Sequence, residues 1–335
     1  MNDRPRLPET RAALEMRRAV RAWLGRYAPG GVVAVALSGG ADSLALTATA
    51  VVEAEVVDAL VVDHGLQEGS AAVAAAAAAA ALRLGCRSAR VLTVAVGRAG
   101  GLEAAARRAR YAALDAARGG VPVLLGHTLD DQAETVLLGL GRGSGGRSIQ
   151  GMAEFAEPWG RPLLGVRRSV ARQLCADLGV EPWEDPHNSA PEFTRVRLRS
   201  EVLPLLEEVL GGGVAGALAR TAAQLREDGV LLDALAGKLL AAARDGSALD
   251  LETLATADPA LRRRVIRAWL LEGGAKSLTD SNLRAVEALV TDWRGQGGVA
   301  VGGSAGGSRL VAAREHGRLI LGPEQSAPGL DGHHH

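Results

Sequence analysis

The sequence predicts an α/β fold: a doubly wound parallel sheet followed by a mainly helical second domain with a small β element. Three observations carry this. Four short β-rich runs, at 32–37 (VVAVAL), 56–63 (VVDALVVD), 91–96 (VLTVAV) and 121–127 (VPVLLGH), alternate with stretches rich in Ala, Leu, Glu or Arg. The runs are apolar nearly throughout rather than at every second residue, the pattern of strands covered on both faces. Beyond Gly211-Gly212-Gly213 the alternation ends and long helical patterns take over.

Each element follows from its own residues. Residues 1–29 read as an N-terminal helical extension. Helix-forming stretches at about 42–54, 70–84 and 102–118 separate the four strands. A further helix over 129–140 stops at the flexible run Gly141-Arg142-Gly143-Ser144-Gly145-Gly146. A helix near 168–179, the Pro-punctuated segment 180–192 and a helical run at about 194–209 complete a first domain over 30–210. A second domain over 214–322 holds helices at about 214–243, 258–272 and 280–293, then strands at 299–303, 309–313 and 318–322. The residues from Arg314 to Gly317 read as a hairpin connection, and 323–335 as a loose tail.

Composition excludes several classes. The 335 residues carry no formal net charge, with 47% hydrophobic and 23% charged residues. The chain can therefore bury a sizeable core, and any basic surface for nucleic acid must be local. Nearly all the positive charge is arginine, since Lys238 and Lys276 are the only lysines. Cys86 and Cys175 lie far apart and in no metal-ligand spacing, which suits a reducing cytosol. There is no N-terminal signal pattern and no run of eighteen strongly apolar residues; the tract at 74–81 is Ala-rich. A cytoplasmic protein with no membrane partner is the expectation. The closing His333-His334-His335 is too short and too terminal to argue a metal site.

Three polar clusters fall at carboxyl ends of predicted strands, the edge where open α/β sheets bind ligands. The first is Ser38-Gly39-Gly40-Ala41-Asp42-Ser43. Its glycines let backbone N–H groups turn toward an anion, its serines add hydroxyl donors, and the following helix adds its positive end. It lacks the lysine of the G-x-x-x-x-G-K-S/T loop. Asp42 would repel phosphate unless a cation lay between them, which makes it a candidate Mg²⁺ ligand. The second cluster is Asp63-His64-Gly65-Leu66, placed for a base or ribose if the first loop holds phosphate. The third gathers His127, Asp130, Asp131, Gln132 and Glu134 at the next strand-to-helix turn. Each alone could be a capped turn or a helix cap. Three at one sheet edge favour a site. On the helix at 102–118, Glu103, Arg107 and Arg110 share a face, as a solvated ion-paired helix would also have it.

These segments carry a resemblance. SGGADS is similar to the S-G-G-x-D-S loop of the PP-loop ATP pyrophosphatase superfamily, which has a Rossmann-like fold and cleaves ATP between the α and β phosphates. VDHGL, LEAAARRARY, GHTLDDQAETVLL and Arg142-Gly143-Ser144-Gly145 narrow it, together with Arg161-Pro162-Leu163-Leu164, Glu184-Asp185-Pro186-His187-Asn188 and Arg195-Val196-Arg197-Leu198-Arg199. With them, residues 30–210 resemble the tRNA(Ile)-lysidine synthetase family, with looser similarity to about residue 322. Gln67, His187 and Val196 depart from the family's usual residues, and the length leaves no room for the extra C-terminal domain of its longer members.

The resemblance implies ATP-dependent ligation of free L-lysine to C2 of the wobble cytidine of the isoleucine tRNA with a CAU anticodon. An adenylylated cytidine is the intermediate, AMP and pyrophosphate are released, and decoding changes from AUG to AUA. It implies ATP and Mg²⁺ as cofactors, with ATP bound by Ser38, Gly39, Gly40, Ala41, Asp42, Ser43, Asp63, His64 and His127. Asp42, Arg107 and Asp131 are the implied catalytic residues. Asp131 is either a second Mg²⁺ ligand opposite Asp42 or the base for lysine's proton, with Asp130 next in line; Arg107 would contact the cytidine, with Arg110 the second choice. Arg142, Arg195, Arg197 and Arg199 are the tRNA contacts, on a track that also offers Arg147, Arg167, Arg168 and Arg172. Arg262, Arg263, Arg264 and Arg267 offer a second track. The oligomeric state is open, a homodimer included. The alternatives are a small-molecule amidating ligase, a tRNA-thiolating enzyme and a non-catalytic nucleotide-binding module. The first normally brings a glutaminase module or takes ammonia, the second needs cysteines in C-x-x-C spacing, and the third needs fewer carboxylates than Asp42, Asp130 and Asp131 supply.

Overall fold

The computed structural model describes residues 5–67, 69–97, 101–143, 145–184, 194–305 and 308–324. Ser144, Asp185-Pro186-His187-Asn188 and the closing His333-His334-His335 lie outside the described residues. The chain forms two compact units, Met1–Gly141 with Gly151–Ala222, and Arg142–Gln150 with Ala223–His335. The sequence suggests a boundary at Gly211-Gly212-Gly213, whereas the packing divides further on, at Ala222. The segment containing Arg147 packs with the second unit: Arg147 pairs with Asp233, and Gln150 Nε2 donates to the Leu225 carbonyl at 3.0 Å.

In the first unit, α1 (Arg11–Tyr27) starts at Thr10, whose Oγ1 accepts from the Ala13 N–H. There follow β1 (Val32–Ala36), α2 (Ala41–Glu53), β2 (Val56–Asp63), α3 (Ser70–Leu84), β3 (Ser88–Thr93) and α4 (Leu102–Ala117). Next come β4 (Val123–Leu124), α5 (Leu129–Gly141), β5 (Phe155–Ala156), β6 (Trp159–Gly160) and α6 (Arg168–Asp177). The strand order is β3-β2-β1-β4-β6-β5, parallel throughout except for β5. This is the doubly wound α/β sheet that the alternation predicts. Val33 and Val35 of β1 pack under α1, α2 and α6, against Met16, Leu46 and Leu174. Ala34, between them, joins Leu60 and Val123 under Leu114 of α4. Both strand faces are dry, which is why the run shows no alternation.

Two local differences from the predicted elements have physical causes. The third strand is Ser88–Thr93 and not 91–96, because Gly85 ends α3 in a left-handed conformation and β3 pairs at once, Ser88 with Asp58 through to Thr93 with Asp63. β2 ends at Asp63, so the apolar residues 94–96 run past it. The β5–β6 hairpin is not predicted at all, since two-residue strands around Pro158 leave no periodicity to read.

The chain proceeds from β1 through β2 to β3 in one direction and returns to β4 on the other side of β1. At such a switch point the loops leaving neighbouring strands diverge and open a crevice. Gly126 keeps this crevice tight. A Cβ there would lie 3.1 Å from the backbone of Asp42 and Ser43. Helix α7 (Thr194–Arg197), a π-helical turn (Leu198–Val202) and α8 (Leu203–Val209) follow, and Leu203 packs with Ala133 of α5 and Ala215 of α9 (Val214–Ala243).

The second unit holds β7 (Arg244–Asp245), β8 (Ala248–Asp250), α10 (Leu251–Ala255), α11 (Pro259–Glu272) and α12 (Asp280–Thr291). After them come β9 (Val299–Ala305), β10 (Ser308–Glu315) and β11 (Arg318–Pro323), in a sheet of order β7-β8-β11-β10-β9. The predicted hairpin closes on the Glu315–Arg318 pair. His316 and Gly317 between them have φ of 46° and 77°, the signs of a type I′ turn. Ile266, Trp269, Leu289 and Leu319 centre the core.

The arginines at 262–264, read from sequence as a basic track, are in fact paired. Arg262 is buried; its Nε donates to Glu287 Oε1 at 3.0 Å and its Nη1 to the Ala257 carbonyl at 2.9 Å. Arg263 donates to the other Glu287 oxygen at 3.1 Å, and Arg264 to Asp233 at 2.7 Å. Arg262 thus ties α11 to α12 and to the end of α10. Glu287→Ala is expected to lower the urea-unfolding free energy by about 3 kcal/mol, because it strands a buried guanidinium. An unchanged unfolding midpoint would show that Arg262 does not depend on this pair.

Candidate active site

Strands β2, β1, β4 and β6 run parallel, so their carboxyl ends open on one edge. Among the described residues, four buried side-chain polar atoms lack a hydrogen-bond partner: Asp42 Oδ1, His64 Nδ1, His127 Nδ1 and Arg161 Nε. They follow β1, β2, β4 and β6 respectively. A stranded buried polar atom costs about 1–3 kcal/mol, and folded proteins keep few of them. Four in a row on one sheet edge are donors and acceptors waiting for a ligand.

The loop after β1 is held by its own serines. Ser38 N–H donates to Ser43 Oγ at 3.2 Å, and that hydroxyl donates to the Gly40 carbonyl at 2.9 Å. Gly39 has φ +84°, which a side chain would strain, and its carbonyl accepts from Trp183 N–H at 3.0 Å. Gly40 caps α2 without a side-chain hydrogen bond. The first-turn N–H groups of α2 therefore keep the unsatisfied donors of any helix start.

Beside this loop lies an acidic cluster organised by one arginine. Thr128 N–H and Oγ1 each donate to Asp131 Oδ2 at 2.8 Å, which fixes the start of α5. Arg168, the first residue of α6, donates from Nη2 to Asp131 Oδ1 at 2.6 Å and from Nε to Asp42 Oδ2 at 3.2 Å. Its Nη1 lies 3.5 Å from Glu134 Oε1, and its backbone N–H donates to Asp130 Oδ2 at 2.8 Å. Arg199 Nε donates to the same Glu134 oxygen at 2.8 Å, and Arg195 lies 3.8 Å from the other. The Glu134 side chain is fully buried.

Burial pushes the Asp42 carboxyl up to about 6; the charge of Asp131 adds to this and Arg168 opposes it. Burial acts upward on Asp131 too, but Arg168 and the Thr128 donors outweigh it and hold the carboxyl below its ordinary value. Arg168 stays protonated, since its three carboxylate neighbours outweigh its burial.

A divalent cation fits this donor set through Asp42 Oδ1, a carboxylate oxygen that is buried and has no partner. Among the described residues no group of three or more His, Cys, Asp or Glu is arranged to hold a metal ion. Phosphate oxygens would have to complete the coordination, as is usual for Mg²⁺.

The other half of the edge is basic. Burial pushes His127 down to about 4, against the pull of Asp131 and aided by Arg161, Arg107 and Arg195, so its ring is neutral at pH 7. Arg161 is buried and donates to the Ala153 carbonyl at 3.1 Å. The Arg107 guanidinium lies 5.0 Å from the Tyr111 ring, which packs edge-on against Trp159. Arg110 Nε donates to His64 Nε2 at 3.2 Å; burial first and that guanidinium second lower the His64 pKa. Asp63 Oδ1 accepts from Gly65 N–H at 3.0 Å, which holds its pKa down.

The structure thus joins Asp42 and Asp131 through Arg168 and sets His127, Asp63 and His64 on the adjoining strand ends. Arg195 and Arg199, expected on a tRNA track, reach inward to Glu134, while Arg197 is exposed and pairs with Glu201 along its own helix. Arg142 belongs to the segment that packs with the second unit. Sequence reasoning put Glu134 in the third cluster and missed the places of Arg161 and Arg168. Glu134 carried a signal, one helical turn beyond Asp130 and Asp131. Arg168 carried none, because its partner Asp42 lies 126 residues away.

Residues 12–206 match the PP-loop domain family, and residues 249–320 match the TilS substrate binding domain. A tRNA(Ile)-lysidine synthase of Nocardia farcinica is 72% identical over 315 residues, covering 93% of this chain and 99% of that protein. One of Rhodococcus erythropolis is 69% identical over 318 residues, covering 95% and 98%. Among solved structures, the U34-tRNA thiolase NcsA of Methanococcus maripaludis superposes with a TM-score of 0.53 at 20% identity, over 64% of this chain and 80% of that one. That likeness is one of fold.

Asp42 has a stability signature. A carboxyl held at about 6 in the folded chain against an ordinary 3.8 destabilises the fold above pH 6, and the penalty is gone below pH 3.8. Asp42→Asn is therefore expected to raise the unfolding free energy at pH 7 by on the order of 2 kcal/mol, with no gain below pH 3.8. Urea titrations at the two pH values measure this. A variant less stable than the parent at pH 7 would mean that Arg168 over-compensates the Asp42 charge.

Proposed function

The chain belongs to the tRNA(Ile)-lysidine synthase family, and from that premise we propose that its sheet edge is where ATP activates the wobble cytidine of the CAU-anticodon isoleucine tRNA for attack by free L-lysine. As a member it is a ligase of the PP-loop ATP pyrophosphatase class that modifies tRNA. The observation that carries the site assignment is the row of four buried, unpartnered polar atoms after β1, β2, β4 and β6.

The chemistry asks for two things of these residues. Cytosine O2 is a poor leaving group, so it is first adenylylated and pyrophosphate departs; the lysine amine then adds at C2 and AMP leaves. Negative charge grows on the α-phosphate and on pyrophosphate. The first-turn N–H groups of α2 and the Ser38 hydroxyl are the donors for it, Ser43 holds the loop through the Gly40 carbonyl, and Gly39 and Gly40 permit the close approach. Neutral His127 orients the nucleotide by hydrogen bonding and not by charge. Asp63 and His64 face the base or ribose, and Arg107 with Arg161 holds the cytidine side. Mg²⁺, held by Asp42 Oδ1 with Asp131 kept beside it on Arg168, would supply further charge neutralisation at the phosphates.

Lysine must react as a free amine although its reference pKa is about 10.4. The low pKa of Asp131 makes it a weak proton acceptor, which supports an electrostatic role for it over that of general base. Arg142, Arg195, Arg197 and Arg199 remain the proposed tRNA contacts; a tRNA substrate puts the enzyme in the cytoplasm. A thiolating reading is not favoured, since both cysteines are buried and burial pushes their thiols up, Cys86 to about 12 and Cys175 to about 11.

With ATP, Mg²⁺ and lysine, pyrophosphate release is expected only when the CAU-anticodon isoleucine tRNA is added. Equal release without tRNA would transfer the assignment to a small-molecule ligase.

A further inference from the structure

We propose that the Arg168 guanidinium is a built-in counter-cation that keeps free divalent metal out of the acidic site until nucleotide brings it, and that it positions Asp42 for that metal. It is a positioning residue, and it acts through the carboxylates it holds. The inference rests on the metal–nucleotide reading above.

The carboxylates are arranged around a guanidinium and not around a hollow. Asp42 Oδ2, Asp131 Oδ1 and Glu134 Oε1 meet three different nitrogens of one planar side chain, at 3.2, 2.6 and 3.5 Å. A divalent ion needs its oxygens to converge on one point at about 2.0–2.6 Å. These are splayed along the fork, a geometry that suits Arg and not a point charge. The four side chains are between 0% and 24% exposed, so the charges act with little water between them.

Charge gives the same answer. Asp42, Asp131 and Glu134 bring three negative charges; Arg168 and Arg199 return two, and Arg195, 3.8 Å from Glu134, a third. A bare metal ion entering this cluster meets no net negative charge and a fixed guanidinium. An ion arriving with the ATP phosphates brings its own excess of negative charge.

Arg168 cannot readily swing aside. Its backbone N–H is bound to Asp130, and Asp130 is bound in turn by Arg167 at 3.1 Å. Helix α6 is also seated on the start of α2, where Cys175 Sγ donates to the Ala41 carbonyl at 3.4 Å. With Oδ2 of Asp42 tied to this fixed group, Oδ1 is the oxygen offered to the incoming metal.

The test uses Mn²⁺ as the probe metal, followed by electron paramagnetic resonance on the full chain. An ATP analogue with a methylene between the α and β phosphates is added or withheld. The parent protein is expected to bind Mn²⁺ weakly alone and strongly with the analogue. Arg168→Gln, which leaves the three carboxylates with only Arg199 and Arg195 beside them, is expected to bind Mn²⁺ without nucleotide at least ~10-fold more tightly than the parent. Arg168→Lys, whose ammonium reaches one or two of the three oxygens, falls between the two, which keeps the test open if the Gln variant does not fold. Tight nucleotide-free binding by the parent overturns the proposal. So does a folded Gln or Lys variant that gains no affinity. If the analogue fails to promote Mn²⁺ binding in the parent, it is instead the metal–nucleotide reading that falls.

Discussion

Three carboxylates, Asp42, Asp131 and Glu134, cannot share a desolvated space unless a cation lies among them, and Arg168 is that cation. The start of α2, the start of α5 and the start of α6 converge on it from three separate stretches of chain. Removing the cation from such a cluster strands buried carboxylates, at a cost of about 3–5 kcal/mol. The loops after β1 and β4 therefore take their mutual position from this pairing as much as from the sheet. Gly126 lets them close, and the Asp42–Arg168–Asp131 chain holds them there.

The second unit uses the same device to a different end. Arg262 is also buried among carboxylate and carbonyl oxygens, and the partners it donates to are structural: Glu287, and the carbonyls at the end of α10. It leaves no orphaned atom. The Arg168 cluster leaves Asp42 Oδ1 without a partner and keeps the Asp42 carboxyl at about 6, a group uncomfortable in its own fold. That residual strain distinguishes a cluster built for a ligand from one built for stability.

What the sequence made legible was local. Ser38 to Ser43, Asp63-His64 and His127 to Asp131 each lie within a few residues of a strand end, so periodicity and turn chemistry place them without tertiary knowledge. The order of the elements was legible for the same reason, and so was the His316-Gly317 turn. What was not legible was long-range. Arg168 and Arg199 lie on the basic track that the sequence suggests, and nothing local says that Asp42 and Glu134 will pair with them. Arg262 looked the same and is interior, because its partner lies one helix further on. The β5–β6 hairpin escaped notice because its register comes from β4 and not from its own residues.

The most direct test of the Arg168 pairing is a double-mutant cycle on unfolding free energy, with Asp42→Asn, Arg168→Gln and the double variant. If the guanidinium is held chiefly as counter-cation to these carboxylates, the cost of Arg168→Gln falls by at least ~1 kcal/mol once Asp42 is neutral. Strictly additive effects would contradict it, leaving Arg168 a packing residue whose charge the site does not need.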